Sequence, residues 1–289
     1  KKMKSIYKLT KDGFELDLSF FDYYLFDKQK SFYNQKLIKL FGLPRKSNTV
    51  LKTEHYQIAG ALQRSFTEIV FHLLNLTKKK GGGSNKIVIA GGAAMNCVFN
   101  GLLDKNKIYN QNFVPPWPDD LGVSIGAAYL ENSNINKKNK RDAQVYLGPS
   151  YNSKEILSLL KKYKLKFTKP KKISSYIAKK ISDGFLIGWF QDKMEFTHRA
   201  LGNRSILADP RKFEMQKKVN SAVKYRESFR PFAPSIMREH VSEWFETDDE
   251  VPFMMKVFQI KKDKRKIIPA VTHVDGSGRL QTVYKETNK

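Results

Sequence analysis

The sequence predicts an α/β chain of two domains with α+β character. Three observations carry that expectation. Ile58, Leu62, Phe66, Ile69, Val70, Leu73 and Leu74 recur at helical spacing and form one long apolar stripe. Lys86–Ala90 (KIVIA) reads as a buried strand that runs into Gly91-Gly92 and then a helix over Ala93–Leu103. Between two regimes of composition lies the polar, low-complexity run Asn132–Lys140 (NSNINKKNK), a linker by composition. The expected boundary is therefore near residue 140, giving domains over 1–140 and 141–289.

Before the long helix, Phe14, Leu16, Leu18 and Phe20 alternate and predict a strand. Leu37–Leu43 followed by Pro44 reads as a helix end and turn. Strand, double glycine and helix over 86–103 is a phosphate-binding arrangement, because glycines let backbone N–H groups approach an anion and a helix N-terminus favours negative charge. Tight turns use the same pattern without any ligand, so Gly91 and Gly92 are candidates on that ground and no more. Asp119-Asp120 before small residues and a helix reads as an N-cap. Ser153 starts a helix through Lys162, with Glu155 in a capping arrangement and Ile156, Leu157, Leu159 and Leu160 inward. Ile173–Ile181 is a second helix, and Gly184 turns into a buried strand over Phe185–Phe190. Phe213, Met215, Val219 and Val223 give a helix within Pro210–Val223, and Val251–Ile260 a strand. Val271–Val274 and Arg279–Val283 flank Asp275-Gly276-Ser277-Gly278, a hairpin signal.

With 289 residues and 40% hydrophobic content the chain can build two packed cores. The single Cys97 excludes an intrachain disulfide framework and fits a reducing compartment; beside the glycines it reads as a small core residue. No apolar run approaches membrane-span length and no signal-peptide core is visible, so a cytoplasmic location is expected. The formal net charge of +25 raises nucleic-acid binding as a function. The lysines are scattered, however, and no nucleic-acid-binding motif accompanies them, which argues against it.

The arginines are not scattered. Six of eleven lie between Arg199 and Arg238: Arg199, Arg204, Arg211, Arg226, Arg230 and Arg238. A guanidinium grips phosphate or carboxylate by two parallel hydrogen bonds, which lysine cannot do. Placed on a loop between a strand and a helix, these residues suit a polyphosphate pocket. A surface salt-bridge network is the other reading.

Met194–Arg211 (MEFTHRALGNRSILADPR) and Val223–Pro234 (VKYRESFRPFAP) closely resemble the O-carbamoyltransferases of the antibiotic and nodulation-factor type, and the resemblance covers nearly the whole chain. It implies the C-terminal half of an actin-like ATPase (Kae1-like) domain followed by a YrdC-like α/β domain. The YrdC-like domain of such proteins is understood to make carbamoyl-adenylate from carbamoyl phosphate and ATP. The Kae1-like domain passes the carbamoyl group to an acceptor hydroxyl. Through the resemblance, GGAAMNCVFNGLL assigns Gly91, Gly92 and Asn96 to the nucleotide. Lys224, Arg226 and Arg230 match the YrdC basic pattern and join Arg199 and Arg204 as candidates for neutralising ATP phosphates and substrate. Asp120, with Gly122 close by, matches the aspartate of an iron-type metal site.

The chain departs from the family pattern in several places. Asp119 stands where glycine is usual. Thr197 and His198 replace glycine and proline, and His198 reads as a pocket residue or as a loop histidine packed against the sheet. The family's two further metal ligands are histidines spaced H-x-x-x-H, whereas His55, His72, His198, His240 and His273 are isolated. One carboxylate does not hold a transition metal. The site is therefore expected to be completed elsewhere, in a longer chain or another polypeptide. Residue 1 does not read as a natural start. The family normally continues through an NTSFN-type segment, which this sequence does not contain, so its C-terminus is expected to be truncated. His273, Asp275 and Arg279 face the pocket or belong to a turn.

The expected function is ATP-dependent O-carbamoyl transfer, with ATP, Mg2+ and Fe2+ or a similar divalent metal as cofactors. Carbamoyl phosphate and a hydroxyl-bearing sugar, antibiotic or oligosaccharide are the expected partners, and a homodimer is an open expectation. Threonylcarbamoyl transfer to tRNA and a non-catalytic phosphate- or nucleic-acid-binding module are the rival readings.

Overall fold

The computed structural model describes residues 1–28, 31–135, 144–227 and 229–286. Residues 136–140 of the expected linker lie outside them. The protein is a mixed α/β structure with small two-stranded sheets. It divides into two compact units: Lys1–Ile87 with Asn106–Gln111, and Val88–Lys105 with Asn112–Lys289. Among the described residues no helix is long and apolar enough to cross a membrane.

In the first unit, β1 (Tyr7–Leu9) pairs antiparallel with β2 (Phe14–Leu16), Tyr7 opposite Leu16. The alternation that predicts a longer strand breaks at Asp17, whose carboxylate accepts the Ser19 N–H at 3.0 Å and starts a 310 turn over Leu18–Phe20. Asn34 caps α1 (Gln35–Phe41). The predicted stripe lies on α2 (Thr53–Lys80). The Glu68 carboxylate of α2 accepts from Tyr7 Oη at 2.8 Å and Lys4 Nζ at 2.9 Å, fastening the helix to the N-terminal strands. β3 (Lys86–Val88) follows.

In the second unit, a 310 turn over Gly92–Met95 precedes α3 (Cys97–Asn106), so the helix starts later than the apolar pattern predicts. β4 (Gln111–Phe113) and α4 (Leu121–Ile135) come next. α5 (Ser153–Lys162) has the predicted bounds, but its cap is Asn152. The Asn152 side chain accepts the Glu155 N–H at 3.0 Å while Glu155 accepts the Asn152 N–H at 2.6 Å. After α6 (Ile173–Ser182), β5 (Ile187–Phe190) pairs antiparallel with β6 (Arg204–Leu207). β5 is not the buried strand its apolar run predicts: its residues alternate between half-buried and exposed, because only one face of this two-stranded sheet is covered.

α7 (Glu214–Val219) runs into a wider turn through Lys224. β7 (Ser235–Met237), α8 (Val241–Trp244), β8 (Val257–Gln259), β9 (Ser277–Arg279) and β10 (Gln281–Val283) complete the chain. The expected hairpin does not form. β9 pairs antiparallel with β8, and β10 pairs parallel with β7. Pro269–Val271 is instead a 310 turn, which removes Val271 from any strand. The main core gathers there: Val241, Phe245, Val251, Phe258, Ile260, Ile268, Val271 and Leu280 pack together. A second cluster of Met215, Val219 and Ala270 sits beneath β6 residue Ile206. These cores fix the ends of β6 and β9, where the candidate arginines stand.

Candidate functional site

The site is built on the second unit from the loop between β5 and β6 upward. Glu195 is buried, and its Oε1 accepts the backbone N–H groups of Leu201 at 2.7 Å, Asn203 at 2.9 Å and Arg204 at 3.2 Å. One carboxylate thus folds the loop around itself and satisfies donors that would otherwise be stranded. Leu201, fully buried, packs with Val145 and Met254. Arg199 rides on this loop.

Arg279 stands close enough to Arg199 and to Arg226 to feel the charge of each. Arg279 lies at the end of β9; burial and then the charges of Arg199 and Arg226 lower its proton affinity, with the Cys97 sulphur acting the other way. Burial, then Arg230, does the same to Arg226. The Nε–H groups of Arg199 and Arg279 are buried and have no acceptor among the described residues. Arg226 is better held, donating from Nε to Asn220 Oδ1 at 2.6 Å and lying 4.8 Å over the Phe232 ring. Like charges gathered with unspent buried donors are chemically suited to an anion, since each guanidinium fork matches a phosphate or carboxylate edge.

The other predicted basic residues stand differently. Arg204 lies 3.5 Å over the Phe190 ring and donates to the carbonyls of Gln191 at 2.6 Å, Asn203 at 2.8 Å, Asp192 at 3.1 Å and Pro149 at 3.2 Å. Its guanidinium stitches loops together. Arg230 is half exposed and pairs with Glu227 at 3.9 Å. Lys224 is exposed at the end of the wide turn. Arg211, from the same stretch, clasps the buried Asp209 carboxylate from Nε and Nη2, which holds Asp209 well below the usual carboxylate range.

Gly91 has φ +95°, a conformation that favours glycine, and its N–H donates to the Pro118 carbonyl at 2.5 Å. Open space surrounds the positions a Cβ would take at Gly91 and Gly92. Asn96 Oδ1 accepts the Phe99 N–H at 3.0 Å and so caps α3. The carbonyls of Asp119 and Asp120 accept from Gly122 and Val123 and open α4. A Cβ on Gly122 would meet the Trp117 carbonyl at 2.2 Å, so its absence lets these segments touch. No group of three His, Cys, Asp or Glu side chains among the described residues is placed to hold a metal. Asp120 alone does not fit a transition metal, and no metal step is assigned to this chain.

His198 is exposed, not packed against the sheet, and its Nε2 lies 2.8 Å from the Asp119 carboxylate. That bond holds Asp119 below the usual carboxylate range. Asp275 accepts from Ser277 N at 3.0 Å and Oγ at 2.6 Å, the turn reading of that residue. Arg279 belongs to the arginine cluster. Cys97 also lies there and is only half-buried, so the small-core reading misses its neighbour. Of the two readings open for Arg279, the charges of Arg199 and Arg226 acting on it favour the pocket.

Both halves of one family pattern match the chain: the carbamoyltransferase N-terminus over residues 2–129 and the carbamoyltransferase C-terminus over residues 178–289. Nodulation protein NolO of Bradyrhizobium diazoefficiens is 38% identical over 84% of this chain and 46% of its own length. Nodulation protein NolNO of Sinorhizobium fredii is 37% identical over 85% and 37%, respectively. An uncharacterized protein of Synechocystis is 35% identical over 99% of this chain and 51% of its own length. The chain thus spans about half the length, or less, of the curated relatives it matches. With both parts of the pattern present in order, the chain belongs to the carbamoyltransferase family of the nodulation-protein type.

Proposed function

We propose that the polypeptide carrying this chain is an ATP-dependent O-carbamoyltransferase. Carbamoyl phosphate loses phosphate to water, and the resulting carbamate oxygen attacks the α-phosphorus of Mg2+-bound ATP. Pyrophosphate leaves, and carbamoyl-adenylate delivers its carbamoyl group to a hydroxyl of a small-molecule or glycan acceptor. In this reading residues 1–140 belong to an actin-like ATPase (Kae1-like) domain and 141–289 to a YrdC-like domain. The observation that carries it is the cluster of Arg199, Arg226 and Arg279, two of whose buried Nε–H groups lack an acceptor among the described residues. Charge on the phosphoryl oxygens rises as pyrophosphate departs, and fixed guanidiniums stabilise it without reorganising. Gly91 and Gly92 leave room for a phosphate at the 310 turn that leads into α3. Lys224 and Arg230, both exposed, add positive charge at the rim.

The test is pyrophosphate exchange into ATP by the full-length protein without acceptor. Exchange that requires carbamoyl phosphate is expected. Exchange that is absent, or equally fast without carbamoyl phosphate, would sink the reading.

A further inference from the structure

We propose that Asn220 is the positioning residue for Arg226, aiming its guanidinium at the anion while leaving its positive charge uncompensated. The proposal rests on the carbamoyl-transfer reading above and adds to it a residue that acts only through the arginine. Asn220 is 1% exposed and stands where α7 runs into the wider turn through Lys224. Three of its polar atoms hold the loop that follows. Its Oδ1 accepts from Arg226 Nε at 2.6 Å, and its Nδ2 donates to the Arg230 carbonyl at 2.9 Å. Its backbone carbonyl accepts the Arg226 N–H at 3.2 Å. Tyr225 permits this return by adopting φ +46°, a left-handed conformation. Gln216, one turn earlier, donates to the same Arg230 carbonyl at 3.3 Å. Arg226 is thus gripped at Nε and lies over the Phe232 ring, which fixes the plane of the guanidinium. Its Nη1 donates to nothing among the described residues, and Nη2 reaches only the Pro231 carbonyl at 3.5 Å. The edge between Nη1 and Nη2 is the one left for an acceptor with two oxygens.

The chemistry of the acceptor shows what kind of tie this is. Arg211, in the same stretch, is clasped by the buried Asp209 carboxylate from Nε and Nη2, and the two charges cancel. Arg226 is held by a neutral amide oxygen, which orients it without neutralising it. A tie that served the fold alone would gain from a carboxylate, whose hydrogen bonds to a guanidinium are roughly twice as strong. An amide is the acceptor that leaves the whole charge for an arriving anion.

The test uses the full-length protein. Pyrophosphate affinity is measured by titration calorimetry with Mg2+ present, and carbamoyl-phosphate-dependent pyrophosphate exchange is followed in the same samples. Asn220→Ala is expected to weaken pyrophosphate binding about 10- to 100-fold. The double variant with Arg226→Ala is expected to bind within about threefold of Arg226→Ala alone, because the amide has no effect once its guanidinium is gone. Asn220→Asp keeps the shape and the acceptor oxygen but cancels the charge. It is expected to remain folded by circular dichroism and to bind pyrophosphate at least about tenfold more weakly. Losses that add in the double variant, or wild-type affinity in Asn220→Asp, overturn the positioning role and leave a contact that serves the fold. If Asn220→Ala does not fold, Asn220→Asp decides the matter. A wild-type protein that binds no pyrophosphate also overturns the proposal. One that binds pyrophosphate without exchanging it removes the carbamoyl-transfer reading, while weaker binding by Asn220→Asp still supports the role of Asn220.

Discussion

Arg279 stands close enough to Arg199 to feel its charge: burial first, and then the positive charge of Arg199, lower the proton affinity of the Arg279 guanidinium. Each has a buried Nε–H without an acceptor among the described residues. Such an arrangement is unfavourable until an anion supplies both the acceptors and the opposite charge. Pyrophosphate or AMP is therefore expected to raise the thermal midpoint of the full-length protein. Arg279→Ala is expected to abolish most of that rise, as read by differential scanning fluorimetry at fixed ionic strength. An equal rise in the variant would remove Arg279 from the site.

Glu195 supplies a second prediction. Its Oε1 is the acceptor for three backbone donors in the loop that carries Arg199. Glu195→Ala strands them and is expected to cost about 3 kcal/mol of stability. Urea unfolding followed by fluorescence measures it. A loss below about 1 kcal/mol would mean that water replaces the carboxylate freely.

Close packing at Gly101 gives a third. A Cβ there would stand 2.0 Å from the Val257 carbonyl oxygen, so α3 rests directly on β8. Gly101→Ala is expected to destabilise by roughly 1–3 kcal/mol because neither backbone can yield without disturbing the core. An unchanged urea midpoint would contradict that contact.

The fourth concerns pH. Burial, opposed by Asp275 and aided by Arg279, holds the His273 imidazole below its ordinary value of 6.5. The unfolded chain therefore binds the proton first. The stability this neutral histidine contributes is complete above about pH 6.5 and is lost as pH falls toward its folded pKa. Stability is expected to decline as pH falls below about 6.5, and His273→Gln to flatten that decline. Identical slopes in both proteins would show that His273 is not the group responsible.

What the sequence made legible follows from how local each interaction is. The bounds of α5 could be read because its Glu155 cap lies within a few positions, although Ile156, Leu157 and Leu159, expected inward, are exposed. The long stripe marked α2 for the same reason. The turn at Asp275 was visible, yet its strand found a partner in Val257–Gln259 and not in the adjacent chain, a non-local choice made by the core around Phe258 and Leu280. Arg204 looked like its neighbours, but its acceptors are backbone carbonyls, which leave no mark in a sequence. The meeting of Arg199 with Arg279 depends on β6 and β9 being fixed by separate clusters. No local pattern records it.

The most direct measurement is carbamoyl-phosphate-dependent pyrophosphate exchange by the full-length protein, comparing Arg226→Ala and Arg279→Ala with Arg238→Ala. Arg238 pairs with the exposed Asp248 at 2.7 Å and stands outside the cluster. The clustered substitutions are expected to slow exchange about 100- to 1,000-fold, corresponding to roughly 2.7–4 kcal/mol in the barrier, while Arg238→Ala stays within about threefold of wild type. Three variants with the same rate, or clustered variants that exchange as fast as wild type, would contradict the assignment of these arginines to the phosphoryl chemistry.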